Sequence, residues 1–337
     1  MSANAASIVD AFFANAERAP DKPCVLFEGQ TISFAQLRRS ATRWAGALQA
    51  WGLRRDDRVA LFLENSPTFV AAYLGIYLAG GIVVLVNTQY RQVELRHILN
   101  DAGVRICVAD PPRRAELDRV VADLGALEAV IVAGSPEEVR AGRSPTADHD
   151  RASGRLIAPG STAVELPSEQ LLRDAPEPPI ELPRADAIAL IGYTSGTTGR
   201  SKGAMLTHRN LAANCAAVTS AWRWTSDDRL LLTLPLFHAH GLGVGLHGTL
   251  LVGSTADLRR RFDAAAVYDA LWEGKTTMFF GVPTMYTRLL AEARQRDRRP
   301  PPIRLYVSGS APLSARAFAE FEQLFGQPIL ERYGMTE

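Results

Sequence analysis

Apolar residues along the chain fall into two patterns: short continuous runs, and longer segments with helical spacing. Continuous runs at residues 58–63, 104–108 and 129–132 predict buried strands, whereas the spacing over residues 34–53 predicts a helix. Strands that alternate with helices are typical of α/β folds with a largely parallel sheet. The first part of the chain is therefore predicted to form an α/β unit.

The longest apolar stretch, residues 69–86, carries no charge and approaches the length of a membrane span. Ser66 and Pro67 precede it in the order typical of a helix N-cap and first turn. Gly80 and Gly81 then interrupt it before a β-branched run. This pattern favours a buried helix followed by a buried strand, and we expect no stable membrane insertion.

Residues 134–183 differ in composition from their surroundings, because Pro, Ser, Gly and charged residues are frequent there. Such a segment predicts a loop, a variable insertion or a linker. We therefore divide the chain into a first α/β subdomain, residues 1–183, which ends in this linker, and a second α/β subdomain, residues 184–337.

The second subdomain begins with an apolar run at residues 187–193, which predicts a strand, and a glycine-rich turn follows it. Thr207 is then placed to cap a helix. The apolar positions predicted to share one face of that helix are Leu211, Cys215, Val218 and Trp222. Further strands are predicted at residues 230–234, 277–280 and 305–307.

The composition indicates a cytoplasmic protein with a small-molecule partner. The chain has 337 residues, of which 47% are hydrophobic, which is enough for a large core and two compact units. Its net charge of +1, from 37 basic and 36 acidic residues, lacks the basic excess of nucleic-acid binders. Cys24, Cys107 and Cys215 are far apart and form no metal-binding pattern, and the N-terminal residues resemble no signal peptide. We expect reduced thiols.

Residues 193–203 read Tyr-Thr-Ser-Gly-Thr-Thr-Gly-Arg-Ser-Lys-Gly and carry the strongest chemical signal. Glycines let backbone N–H groups approach an anion, hydroxyls add donors, and Lys202 adds a positive charge for phosphate. The loop is not a Walker A motif, because Lys202 is followed by Gly203 rather than by Ser or Thr. A flexible Ser/Gly linker is the alternative, but the position between a predicted strand and a capped helix favours polyphosphate binding.

Four ordered motifs resemble those of the adenylate-forming superfamily, the AMP-binding enzymes that include acyl-CoA synthetases, luciferases and adenylation domains. They are YTSGTTGRSKGAML at residues 193–206, LPLFH at 234–238, SGSAPL at 308–313 and YGMTE at 333–337. The run GVPTMYTRLL at residues 281–290 is similar to malonyl-CoA synthetases in particular. The resemblance covers nearly the whole chain.

The resemblance implies an α/β fold, namely the large N-terminal domain of an adenylate-forming enzyme, with two packed β-sheets flanked by helices. It also implies two half-reactions. A carboxylate first attacks the α-phosphate of Mg-ATP to give an acyl-adenylate and pyrophosphate, and the thiol of coenzyme A then displaces AMP. The implied ligands are ATP, Mg²⁺, coenzyme A as co-substrate and a small carboxylate.

The same resemblance implies roles for individual residues. Lys202, Thr336 and Glu337 are the implied catalytic residues, with Thr336 donating to the α-phosphate and Glu337 holding Mg²⁺. Tyr333 is implied to stack on adenine, beside the segment Gly309, Ser310, Ala311 and Pro312. The outer phosphates are implied to be held by Thr194, Ser195, Gly196, Thr197, Thr198, Gly199 and Lys202.

Substrate contacts are implied at His238, Arg288, Ser308 and Ser310. Malonate and methylmalonate carry a second carboxylate, which Arg288 and the serines are implied to bind, whereas His238 is implied to gate the reacting carboxylate. The alternative for Arg288 is a solvated position on a helix. His240 and His247 are predicted to be structural.

The sequence stops at Glu337, before the rest of the large domain and the C-terminal lid domain of the family. We therefore expect a truncated chain that is inactive or impaired and prone to self-association. Three functions remain open: a malonate-type carboxylate–CoA ligase, a ligase of the same superfamily for a fatty acid or another acid, and a non-catalytic ATP-binding remnant.

Overall fold

The chain forms two compact units that interleave along the sequence. The first unit comprises Met1–Gln36 and Ala212–Thr336, and the second comprises Leu37–Leu211 with Glu337. The predicted boundary between residues 183 and 184 divides the chain into two consecutive segments. It does not anticipate that the N-terminal strands β1 (Pro23–Phe27) and β2 (Gln30–Ser33) join the sheet of the C-terminal strands. The computed structural model describes residues 7–134, 164–173, 175–178, 180–194 and 200–337.

Strands and helices alternate along most of the described chain. The strands are β1 (Pro23–Phe27), β2 (Gln30–Ser33), β3 (Arg58–Phe62), β4 (Ile82–Leu85), β5 (Val104–Ala109), β6 (Ala129–Val132), β7 (Val164–Pro167), β8 (Ile188–Thr194), β9 (Lys202–Thr207), β10 (Arg229–Leu232), β11 (Thr255–Leu258), β12 (Met278–Gly281), β13 (Leu305–Ser308) and β14 (Ile329–Glu331). The helices are α1 (Ile8–Arg18), α2 (Phe34–Ala50), α3 (Pro67–Leu78), α4 (Gln92–Asp101), α5 (Pro111–Leu117), α6 (Ser168–Arg173), α7 (His208–Ala221), α8 (His247–Val252), α9 (Ala264–Trp272), α10 (Pro283–Ala293) and α11 (Ala315–Phe325). A π-helical turn, His240–Leu246, precedes α8.

The first unit is built on a seven-stranded sheet with the order β14-β13-β12-β10-β11-β1-β2. All its neighbours are parallel except β1 and β2, which pair in antiparallel fashion. Aromatic rings fill the core where α10 and α11 cover this sheet: Phe321 lies 5.3 Å from Tyr286 and 4.9 Å from Tyr306, centroid to centroid. All three side chains are almost fully buried. Their packing stabilises the sheet that carries the loops at its edge.

The second unit repeats this plan with the order β7-β6-β5-β3-β4-β8-β9, parallel throughout except for the antiparallel pair β8 and β9. Its core contains Phe62, Val84, Cys107 and Val132 from four adjacent strands, with Leu95 of α4. The prediction of an α/β fold with two largely parallel sheets and alternating helices is confirmed. Cys24, Cys107 and Cys215 are free and buried, as expected for reduced thiols.

The apolar stretch after Ser66 forms the buried helix α3 and the buried strand β4, as predicted. Ser66 caps the helix, because its Oγ accepts a hydrogen bond of 3.1 Å from the Phe69 N–H. Within the described ranges, no helix combines the length and the apolar character that a membrane span requires. The predicted helix over residues 34–53 also forms, but it ends at Ala50, shortly before Gly52 adopts a positive φ of 96°.

Two strands lie where the sequence predicted loops. The segment 134–183 was predicted to be a loop or linker, which is wrong for residues 164–173, because these form β7 and α6. Short segments of mixed composition can serve as edge strands when a neighbouring strand supplies the pairing, and β7 pairs in parallel with β6. Strand β9 was not predicted either, because the sequence indicated only a glycine-rich turn before the helix that Thr207 caps. It pairs with β8 in antiparallel fashion. Thr207 Oγ1 accepts a 3.1 Å hydrogen bond from the Asn210 N–H, as predicted for a cap.

Candidate functional site

The β8–β9 hairpin of the second unit holds the two ends of the predicted phosphate loop. Thr194 at the end of β8 is the ladder partner of Lys202 at the start of β9. Lys202 is exposed to solvent. The predicted phosphate ligands between these strands, Ser195, Gly196, Thr197, Thr198 and Gly199, lie outside the described residues.

Hydrogen bonds to α4 fix the base of this hairpin. The Tyr193 hydroxyl donates to Asp101 Oδ2 at 2.6 Å, and His97 Nε2 donates to the Ser201 carbonyl oxygen at 2.8 Å. Burial, and then the hydrogen bond and charge of Asp101, raise the pKa of Tyr193 well above its usual value, so the hydroxyl stays protonated as a donor. Tyr193 and His97 thus each have a partner within the second unit.

Gly203 shows why the hairpin requires glycine at this position. A Cβ atom there would lie 2.7 Å from Ile191 Cγ2 and 3.1 Å from the Tyr193 ring. Real Cβ atoms do not approach other atoms so closely, so a side chain at Gly203 would displace the Tyr193 ring from its contact with Asp101. The glycine next to Lys202 therefore serves packing as well as loop flexibility.

A cavity of about 440 Å³ opens in the first unit at the carboxyl ends of the four neighbouring strands β10, β12, β13 and β14. Segments that follow each of these strands line it. In open parallel sheets, ligands bind in the crevice outside the carboxyl ends of the strands. The volume lies within the range of small-molecule sites.

Three of the predicted site residues line this cavity: His238, Ser310 and Thr336. His238 is exposed at its mouth, where desolvation by the surrounding protein lowers the pKa of the imidazole. Ser310 has a φ of 69°, in the left-handed region that a serine rarely adopts. Strained backbone of this kind is frequent where a loop must present atoms to a ligand.

Two cavity residues, His240 and Arg332, were assigned no ligand contact from the sequence. His240 is 4% exposed, its Nδ1 lies 3.3 Å from Ser310 Oγ, and its buried Nε2 has no hydrogen-bond partner in the described part of the chain. Burial, followed by the positive charges of Arg332 and His238, lowers the pKa of His240 to about 3, so the imidazole is neutral. His240 is therefore buried, as a structural residue would be, but it also faces the cavity.

Ser308 and Gly309 lie just behind the cavity wall at the end of β13. Ser308 is 1% exposed, and its buried Oγ finds no hydrogen-bond partner among the described residues. A Cβ atom at Gly309 would lie 2.9 Å from Arg332 Cγ and 3.1 Å from His240 Cε1. The missing side chain at Gly309 thus allows His240 and Arg332 to approach each other.

The remaining predicted residues of the first unit do not line the cavity. Tyr333 is 88% exposed beside it, which leaves the face of its ring free for stacking. Ala311 and Pro312 are exposed in the loop after Ser310. Arg288 is exposed on α10, with its guanidinium carbon 4.9 Å from the centroid of the Phe262 ring.

The structure thus brings His238, His240, Ser310, Arg332 and Thr336 around one cavity. Lys202 and Thr194 belong to the other unit, and the exposed Glu337 is grouped with that unit too. A periodicity argument could not have found His240 or Arg332, because their importance arises from the contact between loops that follow different strands. The signal that could have found Arg332 is its place immediately before the YGMTE motif.

Comparison with known proteins places the chain among AMP-binding enzymes. A family model described as AMP-binding enzyme matches residues 12–337. The chain is 34% identical over 323 residues to a feruloyl-CoA synthase from Amycolatopsis sp., which covers 96% of this chain and 58% of that protein. It is 28% identical over 374 residues to a malonate–CoA ligase from Arabidopsis thaliana, which covers 100% of this chain and 57% of that protein.

Among solved structures, the chain is similar to the crystal structure of ATP-bound MatB from Rhodopseudomonas palustris. The TM-score is 0.79 and the sequence identity is 36%, over 98% of this chain and 60% of that chain. The chain therefore spans less than two thirds of the length of these relatives.

Proposed function

The chain belongs to the AMP-binding enzyme family, and from that premise we propose that it carries the nucleotide and acyl sites of an ATP-dependent carboxylate–CoA ligase. The observation that supports this most directly is the cavity at the strand ends, where buried polar atoms of His240 and Arg332 have no partner in the described part of the chain. Such atoms are costly unless a ligand satisfies them.

The proposed reaction has two steps. A carboxylate oxygen of the acid attacks the α-phosphorus of ATP, the bond to the bridging oxygen breaks, and pyrophosphate leaves. The sulfur of coenzyme A then attacks the acyl carbon, and AMP leaves with the electron pair of the acyl–oxygen bond. Both steps develop negative charge on phosphate oxygens, so fixed donors and cations at those oxygens lower the barrier.

We assign this chemistry to residues of the glycine-rich loop and of the YGMTE motif. We assign the outer phosphates to Lys202 and Thr194, which are ladder partners at the two ends of the glycine-rich loop, and to that loop itself. Thr336 donates to the α-phosphate, and the exposed ring of Tyr333 stacks on adenine. Mg²⁺, when bound, neutralises charge on the phosphates. Glu337 would supply one carboxylate for it, since Mg²⁺ in such sites takes one or two carboxylates together with phosphate oxygens.

For the acid we propose malonate or methylmalonate. The GVPTMYTRLL run and the similarity to a malonate–CoA ligase support this choice. A cavity that contains the arginine Arg332 also favours an acid with a second negative charge. The proposed location is the cytoplasm, in keeping with three free, buried thiols.

The second candidate is a ligase for a different acid. The identity to a feruloyl-CoA synthase is 34%, higher than the 28% to the plant malonate–CoA ligase, and this observation favours an aromatic acid. An aromatic acid would need apolar cavity walls, which Leu234, Val282 and Met285 provide in part.

Binding of acyl-adenylate mimics tests the proposal without requiring turnover. Adenosine sulfamates acylated with malonate or with ferulate should be compared with AMP by calorimetry on the purified chain. We expect the malonyl compound to bind at least tenfold more tightly than AMP, because it fills the nucleotide and acyl subsites together. Tighter binding of the feruloyl compound would support the second candidate, and binding of ATP without any gain from an acyl group would indicate a non-catalytic ATP-binding protein.

A further inference from the structure

A second cavity, of about 240 Å³, opens in the second unit at the amino ends of the neighbouring strands β3, β4 and β8. Residues that lead into these strands line it: Asp56 before β3, Gly81 before β4 and Ala187 before β8. The predicted phosphate loop follows the opposite end of β8, about 20 Å away, because each residue of a strand adds about 3.3 Å. The cavity is therefore separate from the phosphate loop.

The inner wall of this cavity is buried and mostly apolar. Leu53, Tyr77 and Leu78 line it and are at most 7% exposed. His208 lines it too, 4% exposed, with its ring 4.6 Å from the Tyr77 ring, centroid to centroid. The Tyr77 hydroxyl donates to the Tyr73 hydroxyl at 2.7 Å, so the imidazole is the polar group of this wall that needs a partner.

The ring nitrogens of His208 have no hydrogen-bond partner among the described residues. Burial lowers the pKa of His208 to about 4, so the imidazole is neutral, with one nitrogen that donates and one that accepts. A buried polar group of this kind costs free energy unless a hydrogen bond satisfies it. A ligand with a hydroxyl at the inner end of the cavity would supply that bond.

The mouth of the cavity carries four exposed charged residues: Arg55, Asp56, Glu181 and Arg184. Arg55 pairs with Glu181 at 3.1 Å, and Arg184 pairs with Asp186 at 3.0 Å. Asp56 attracts Arg184 at longer range but forms no ion pair within the described ranges, because the hydrogen bonds of Arg184 go to Asp186. The charge left unpaired at the mouth is therefore negative, and it favours a cation.

The backbone holds Asp56 in an unusual conformation at this mouth. Its φ of 66° lies in the left-handed region, which Asp and Asn adopt more readily than most residues. Its N–H donates to the Gly80 carbonyl oxygen at 2.9 Å, and its own carbonyl oxygen accepts a 3.1 Å hydrogen bond from Arg58 Nη1. These two bonds fix the position from which the carboxylate extends.

We infer that this cavity binds a small aromatic amine that carries a hydroxyl group. The ammonium group lies at Asp56, the ring packs against Leu53 and Tyr77, and the hydroxyl bonds to His208. The volume is below the roughly 300 Å³ at which sites for larger ligands begin, so the cavity admits a molecule with a single ring. The inference goes beyond the proposed function and does not depend on it, because neither ATP nor the acid takes part.

Calorimetry on the purified chain with three related probes measures each part of this recognition. Tyramine carries the ring, the hydroxyl and the ammonium group, phenethylamine lacks the hydroxyl, and para-ethylphenol lacks the ammonium group. Phenethylamine should bind about two- to tenfold more weakly than tyramine, as expected for loss of one hydrogen bond. Para-ethylphenol should bind about two- to fivefold more weakly, because the charge that it lacks would lie at an exposed carboxylate.

Asp56→Asn tests the assigned cation contact. Asn tolerates the left-handed backbone as Asp does, so the variant should keep the fold. Tyramine should lose its advantage over para-ethylphenol in this variant, whereas the affinity for para-ethylphenol should not change. Asp297→Asn is the matched control, because Asp297 is exposed, has no ion pair within the described ranges and does not line the cavity.

Three results would overturn the inference. The first is a wild-type chain that does not bind tyramine. The second is a wild-type chain that binds tyramine no better than para-ethylphenol. The third is an Asp56→Asn variant that retains the full preference for tyramine, which would place the ammonium group elsewhere.

A second measurement uses only the wild-type chain and locates the bound amine. Hydrogen exchange of the backbone amides, measured on peptides by mass spectrometry, should slow with tyramine in residues 53–57 and 77–81, which line this cavity. Exchange in residues 234–241, which line the cavity of the first unit, should not change. Protection of residues 234–241 alone would assign tyramine to the other cavity and contradict the inference.

The two proposals can fail separately, because they use different probes. If the acyl sulfamates bind no better than AMP while tyramine protects residues 53–57, the ligase function fails and the amine site stands. If an acyl sulfamate binds tightly but tyramine neither binds nor protects these residues, the ligase function stands and the inference of an amine site alone fails.

Discussion

The base of the predicted phosphate loop and the cavity of the first unit differ in how their polar groups are satisfied. At the loop base, Tyr193 bonds to Asp101 and His97 bonds to Ser201. Around the cavity, by contrast, buried atoms of His240, Ser308 and Arg332 have no partner among the described residues.

The difference indicates two separate tasks. Hydrogen bonds at the loop base contribute to folding stability, because they hold the two ends of a glycine-rich loop in a fixed register. Unpartnered atoms at the cavity reduce folding stability, and such atoms persist where a ligand satisfies them. Substitutions should therefore have opposite effects on stability in the two regions.

Acid should affect both units, through one buried histidine in each. Burial is the largest cause that lowers the pKa of His240 from 6.5 to about 3. Burial also lowers the pKa of His208, from 6.5 to about 4. Below pH 6.5 the unfolded chain therefore binds protons that the folded chain does not. The free energy of unfolding should fall as the pH falls through this window, by up to about 1.4 kcal/mol per pH unit for each histidine.

Urea unfolding at about pH 7 and about pH 5 measures this loss. His240→Gln and His208→Gln should each lose less stability on acidification than the wild type does. An acid sensitivity that neither substitution reduces would assign the effect to other groups.

Lys202→Ala should weaken ATP binding more than AMP binding. The lysine flanks the predicted phosphate loop, where a charge-assisted contact to an outer phosphate contributes about 1.5–3 kcal/mol. Calorimetry should thus show about a ten- to hundredfold loss for ATP and little change for AMP. Lys275→Ala, at an exposed lysine of the first unit, is the control, and equal losses for both nucleotides would contradict the assignment.

Tyr193→Phe should destabilise the second unit. It removes the 2.6 Å hydrogen bond to Asp101, for an expected cost of about 1 kcal/mol in the free energy of unfolding. Asp101→Asn keeps an acceptor oxygen and should cost less. Urea denaturation of both variants measures the difference, and an unchanged Tyr193→Phe variant would mean that the loop base does not depend on this bond.

Ser308→Ala should leave the stability of the unliganded chain unchanged or slightly higher, because the lost hydroxyl is buried without a partner in the described structure. Ser254→Ala is the matched buried serine, whose Oγ accepts a 3.0 Å hydrogen bond from Trp224 Nε1. That control should lose about 1 kcal/mol or more. If both substitutions cost the same, Ser308 has a partner, and the contrast between the two regions does not hold.

Much of the fold could be predicted because its signals are local. Continuous apolar runs marked most of the central strands, and the Ser66 and Thr207 caps marked two helix starts. The strands β7 and β9 were missed, because an edge strand depends on the pairing of its neighbour and carries little pattern of its own. The division into units was not apparent either, since β1 pairs in parallel with β11, more than 200 residues away.

For the candidate site, the sequence by itself determined the chemistry that is available: the glycine-rich loop with Lys202, and the motifs that end the chain at Thr336 and Glu337. Only the tertiary structure decided which side chains share a cavity. It placed both His240 and Arg332 beside Gly309, and it left Arg288 over Phe262 on an exposed helix face. The physical reason is that motifs record residue types along one segment, whereas burial, pKa and unsatisfied hydrogen bonds arise from segments brought together at the ends of neighbouring strands.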